Sequence, residues 1–210
     1  MQKIRQLNLS ELPNVESLSI FMSHDEDVEH RLAEGLFLTE VYERSNAALL
    51  FFHKVSSSNK SFENSAYLRA GLNEFYGIQD AAKRDFKKNE LTEFTPKLSD
   101  SLNPLVHLMY LLRHVNVHAK ITTTNTMPVN LISNLGGVEH EVAIDIVIMD
   151  TPTLQNLTLC GEAKRYYDIT ELEKASNWLD HTQCHFGVVE VFRRGVSAYC
   201  RELLRAAKLV

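Results

Sequence analysis

The chain has 210 residues, 44% of them hydrophobic and 23% charged, with a formal net charge of -5 at pH 7. This balance is that of a globular chain with a real core, and its negative sign excludes a whole-surface nucleic-acid binder, so any contact with a polyanion has to be local. No run approaches the roughly eighteen apolar residues of a membrane span, and "MQKIRQLNLSELPNVES" lacks a signal peptide's apolar stretch, so a cytoplasmic location away from membrane is expected.

Ser23-His24-Asp25-Glu26 has capping-box spacing. Leu32, Leu36, Val41, Ala48, Leu49 and Phe52 then recur at helical intervals until "SSSNKS" at 56–61, so a first helix is expected over 23–55. A second, over 62–88, carries Tyr67, Leu68, Leu72, Phe75, Ile78 and Ala82 as its apolar stripe. It ends in "KRDFKK", where Lys83, Arg84, Lys87 and Lys88 either complement the helix dipole on a solvated face or attract phosphate. A third helix, over 103–120, opens at Asn103-Pro104, an N-cap followed by proline in the first turn. The period then shortens. "VAIDIVIM" at 142–149 alternates like a strand, "TPTLQN" offers a turn, and "LTLC" at 157–160 can return antiparallel as a hairpin. Helical spacing resumes over 170–206, where Gly187 and Gly195 are candidate bends. The expected architecture is mainly α, an antiparallel helical bundle forming one domain over 1–210 with a β-hairpin inserted at about 140–162. Cys160, Cys184 and Cys200, odd in number and widely spaced, read as reduced, packed thiols.

The third helix holds the most informative stretch, "LLRHVNVHAK" at 111–120. At about 100° per residue, Leu105, Leu108, Leu112, Val115 and Ala119 share one side. His107, His114 and His118 gather on the other within about 40°, and Arg113 lies about 140° from His118. Such a face meets solvent, a partner or a ligand. A solvated or interfacial face is the plain reading. His114 and His118, at i and i+4, can share a metal ion but lack a third ligand, since His107 is two turns back. Alternatively His118 moves a proton near neutral pH while Arg113 grips phosphate oxygens with its permanently charged fork.

"RHVNVH", Arg113 to His118, resembles the Arg-x4-His signature of the HEPN (higher eukaryotes and prokaryotes nucleotide-binding) domain, in which a polar residue, here His114, commonly follows the arginine. The preceding helix "AYLRAGLNEFYGIQDAAKRDF" and the later "NWLDHTQCHFGVVEVFRRGV" extend the resemblance over most of 25–207. It implies metal-independent RNA cleavage by a homodimer, with no cofactor. Paired Arg113 and His118 would face a shared cleft, and the splay of the two on one helix fits that need for a second copy. His118 is then the general acid/base and Arg113 stabilises the phosphorane, while His114 and Asn116 orient or assist. Lys83, Arg84, Lys87, Lys88 and Lys120 are the candidate RNA contacts. The resemblance also implies a toxin or other defence-system component, with a possible cognate antitoxin protein. Lys120 departs from members that carry a tyrosine two residues after the histidine, so silencing by nucleotidylation there is not supported.

A rival enzyme reading uses Asp145 with Glu162-Ala163-Lys164. An acid followed by Glu-x-Lys on a hairpin resembles the PD-(D/E)xK nucleases, whose carboxylates hold a divalent metal. That fold needs a larger sheet than the sequence offers. A third possibility is a non-catalytic dimeric helical binding module.

Overall fold

The computed structural model describes residues 4–12, 28, 31–33, 37–57, 60–91, 94–118, 123–135 and 138–208, with side chains at 56–57, 117–118, 131–135 and 138–140 outside that description. Its elements are α1 (Thr39–Ser57), α2 (Ser61–Lys88), α3 (Pro104–His118), β1 (Thr124–Leu135), β2 (Val138–Met149), α4 (Thr151–Leu159), α5 (Gly161–Tyr166) and α6 (Ile169–Ala206). The protein is mainly helical with an inserted two-stranded antiparallel sheet, as its hydrophobic periods lead one to expect.

The expected start of the first helix at residues 23–27 lies outside the described residues. Residues 28 and 31–33 are helical as expected, the helix is broken at Phe37 and Leu38, and α1 begins beyond that break at Thr39, where a different cap sets it. Asp85, buried near the end of α2, accepts the Val41 N–H at 3.0 Å, and the Asn89 amide donates to the Phe37 carbonyl at 2.6 Å. A carboxylate at a helix N-terminus meets both its orphan N–H groups and its positive dipole end. Burial raises the Asp85 pKa, and those N–H bonds hold the rise in check.

The core lies between α1, α2, α3 and α6. Phe52 meets Phe192 edge-on at 5.5 Å, and Phe75 meets Tyr199 likewise at 6.1 Å. Close helix approach depends on small residues, with Gly71 against Phe52, and Gly195 against Met109 and Leu105. The bend expected at Gly187 is present, with φ +76° and ψ 154° interrupting the helical backbone of α6. A Cβ there would stand 3.3 Å from the Ile146 Cβ and 3.4 Å from the Val147 carbonyl, so β2 packs directly on the break.

The hairpin is displaced from its expected position at 140–162. Strand 142–149 pairs upstream, not with 157–160: Thr124 faces Met149, Val129 faces Ile144 and Leu135 faces Val138. β1 was hidden by Pro128 and three asparagines, yet a two-stranded sheet leaves an outer edge on each strand where a missing N–H costs nothing. Residues 151–159 are helical because Asp150 caps them, its carboxylate accepting the Thr153 N–H at 3.1 Å with Pro152 in the first turn. Two clamps hold the hairpin base. Ser61 Oγ donates to the Thr124 carbonyl at 2.6 Å. The buried Gln183 amide accepts the Met149 N–H at 2.9 Å and donates to the Met149 carbonyl at 3.0 Å.

Candidate functional site

α3 opens as its sequence predicts, with Asn103 Oδ1 accepting the Leu105 N–H at 2.9 Å. From Pro104 to Leu112 every residue is buried. This stretch is therefore enclosed on all sides, and the polar face read from the sequence is partly covered by the chain itself.

His107 is the clearest correction. It is 0% exposed rather than at any surface or interface, its Nδ1 2.8 Å from the Tyr167 hydroxyl and its Nε2 2.6 Å from the Ser101 carbonyl. A carbonyl only accepts, so Nε2 carries the proton and Nδ1 accepts from Tyr167. Burial pushes the imidazole down to about 4, with the Ser101 carbonyl opposing and the Arg5 charge reinforcing. It is a neutral structural group.

One turn on, Tyr110 donates to Glu162 Oε1 at 2.8 Å. The same oxygen pairs with Arg5 at 3.0 Å, and Arg5 donates to the Tyr167 hydroxyl at 3.0 Å. The Arg5 guanidinium lies 4.6 Å from the centre of Tyr166, 5.1 Å from Tyr110 and 5.3 Å from Tyr167. Burial and the Glu162 bond push the Tyr110 phenol up to about 12, keeping it a neutral donor.

The next turn carries the motif. The Arg113 guanidinium lies 4.2 Å over the ring of Tyr76 from α2, within cation–π range. The half-buried side chain places its Nε out of solvent with no hydrogen-bond partner among the described residues. The His114 ring sits 4.6 Å from Tyr110 and edge-on to Tyr76 at 6.2 Å, and the two tyrosines stack at 6.0 Å. Asn116 turns back on its own helix, donating to the Leu112 carbonyl at 2.8 Å. The His118 backbone closes α3 while its side chain falls outside the description, and Lys120 lies wholly outside it. Arg113 and His114 are thus gathered around Tyr76. A guanidinium stacked on a ring with its Nε out of solvent is suited to a phosphate that arrives with its own charge.

The basic end of α2 is not part of this constellation. Lys83 pairs with Asp80 at 2.7 Å and Arg84 with Glu40 at 2.5 Å, while Lys87 and Lys88 are exposed. Lys88 lies twelve residues beyond Tyr76, about 18 Å along the axis at roughly 1.5 Å per residue. The end of α2 on which it sits caps the start of α1 through Asp85, opposite the α2 N-terminus, where Ser61 meets Thr124.

The metal-nuclease arrangement does not form. Asp145 is exposed on β2 opposite Pro128, whereas Glu162 and Lys164 are on a helix, α5, instead of a returning strand. Glu162 is already engaged by Arg5 and Tyr110. Among the described residues no group of three His, Cys, Asp or Glu is placed to hold a metal ion, and no helix is long and apolar enough to cross a membrane.

Sequence reasoning missed Arg5, Tyr76, Glu162 as a network member, and Tyr167. Tyr110 alone was findable, since it lies on the same helical side as His107 and His114. No protein-family model, curated protein or solved structure is significantly similar to the chain.

Proposed function

We propose that the protein is a metal-independent endoribonuclease of HEPN type that works as a homodimer, with Arg113 and His118 of both copies around one RNA phosphate. The observation that supports this most is Arg113 itself, late in α3, stacked on Tyr76 with a buried Nε that has no partner among the described residues. Such a cation is held ready in a low-dielectric setting, where it stabilises developing charge more than it would in water.

In the proposed reaction a ribose 2′-hydroxyl attacks the adjacent phosphorus. A histidine takes its proton as the 2′-oxygen–phosphorus bond forms. The phosphorus–5′-oxygen bond breaks, and a histidine returns a proton to the leaving oxygen, giving a 2′,3′-cyclic phosphate and a 5′-hydroxyl. His118 from the two copies can divide the base and acid roles. Arg113 neutralises the phosphorane oxygens. His114, packed on both tyrosines, and Asn116, bonded back to Leu112, orient the motif turn and do not reach for substrate. The cellular reading is a toxin or defence-system ribonuclease restrained by a cognate protein, in which case expression without that partner arrests growth.

The test is cleavage of single-stranded RNA in EDTA by the purified dimer. His118→Ala should lose about 10² to 10⁴ in rate with an unchanged melting temperature. Arg113→Ala should be similarly crippled, and Arg113→Lys only partly restored, because a lysine lacks the planar fork. Exposed Asp145→Ala should cleave like the parent. Equal cleavage by His118→Ala and parent, or activity abolished by EDTA, would refute the proposal. A monomer in light scattering at micromolar concentration would remove the shared cleft it needs.

A further inference from the structure

α6 carries a second pair of histidines that the proposed reaction does not use. His181 and His185 are both exposed, one helical turn apart, with ring centres 4.7 Å apart and planes inclined at 66°. His185 Nδ1 lies 2.9 Å from the His181 backbone carbonyl. That oxygen can only accept, so Nδ1 carries the proton and the neutral ring keeps its lone pair on Nε2, on the side away from the helix backbone. Fixing one ring nitrogen on a carbonyl so that the other is presented to a metal is the usual outer arrangement of a histidine ligand.

The spacing fits a shared ion. An ion about 2.0–2.1 Å from each ligating nitrogen stands about 3.2 Å from each ring centre, so two rings meeting it at roughly 90–110° have centres about 4.5–5.3 Å apart. The observed separation falls inside that interval. We propose that His181 and His185 form a binding site for a divalent transition-metal ion of the zinc, nickel or copper class, with water in the remaining coordination positions. Imidazole donors suit those ions and not magnesium or calcium. The neighbouring polar groups stay outside the set. Asp180 accepts from Gln183 Nε2 at 3.1 Å, and the half-buried Cys184, next to His185 in sequence, lies about 100° round the helix from it. The site is therefore open, with two protein ligands among the described residues, and weaker than a closed four-ligand one.

Its place in the fold gives it a consequence. The pair brackets Gln183, whose amide holds Met149, and ends two residues before the backbone break at Gly187. An ion across the two rings staples the turn that anchors the hairpin, so binding raises the melting temperature. The inference stands apart from the cleavage reading, which concerns α3.

The test is calorimetric titration of tag-free protein with zinc and with nickel chloride, against magnesium, alongside thermal melts. One equivalent of zinc or nickel should bind, magnesium should not, and the melting temperature should rise by a few degrees. His181→Ala, His185→Ala and His185→Gln should each weaken binding at least tenfold and abolish that rise, while the exposed His53→Ala on α1 behaves as the parent. All three positions are exposed on helices, so matching circular dichroism checks the fold. No binding by the parent, or parent-like binding by either His181→Ala or His185→Ala, overturns the site.

Discussion

A histidine sealed between a tyrosine hydroxyl and a backbone carbonyl has to stay neutral, and this sets how the fold responds to acid. The folded His107 titrates at about 4, against about 6.5 in an unfolded chain. Below pH 6.5 the unfolded chain takes up a proton that the folded one refuses. Stability is therefore intact above that pH, falls as pH drops toward 4, and loses no more to this group below it, a total of about 3 kcal/mol. Denaturant titrations at pH 7 and pH 4.5 should show the loss in the parent. His107→Gln should be less stable at pH 7, having lost well-made hydrogen bonds, but with a smaller further drop at pH 4.5. Helical angles assigned His107 to the same side as His114, correctly, and could not say that Tyr167 and Ser101 would cover it. Arg113 was placed on α3 from its linear position in the helix, where the structure has it. Tyr76 and Arg5 were not legible, because what makes them relevant is contact across the fold.

Elements with a local signal were readable and those fixed by distant partners were not. α2, α3 and α6 match their hydrophobic periods to within a few residues. The expected first helix is broken at Phe37 and Leu38 because a carboxylate on another helix caps a new start there, and α4 replaces an expected strand because Asp150-Thr151-Pro152 is a helix start in a stretch that also reads as a turn. Gly187 was legible as a bend but not as the floor under β2. Its φ of +76° with ψ of 154° belongs to a region essentially reserved for glycine. Gly187→Ala should cost about 1–3 kcal/mol for the backbone alone, before the crowding of Ile146 is counted. Urea unfolding checks it, and a loss under 0.5 kcal/mol would mean that α6 can straighten at this point.

At the scale of the whole molecule, the chain's first described segment is joined to its later half. Arg5 donates to Tyr167 across 162 positions, pairs with Glu162, and makes a backbone bond to the Tyr166 carbonyl at 2.7 Å. This has a kinetic meaning. Among the hydrogen bonds of the described residues the Arg5–Tyr167 bond closes the longest loop, at a high entropic cost, whereas α1–α2 and the β-hairpin close on neighbouring sequence. The Arg5 contacts are therefore expected to form after the folding barrier has been crossed, when the helices they bridge are already in place. Interactions absent from the transition state govern how fast a protein comes apart and leave its rate of assembly alone. Arg5→Ala should steepen nothing in the refolding arm of a stopped-flow chevron yet raise the unfolding rate severalfold, so that this one arginine acts as a latch on the lifetime of the native state.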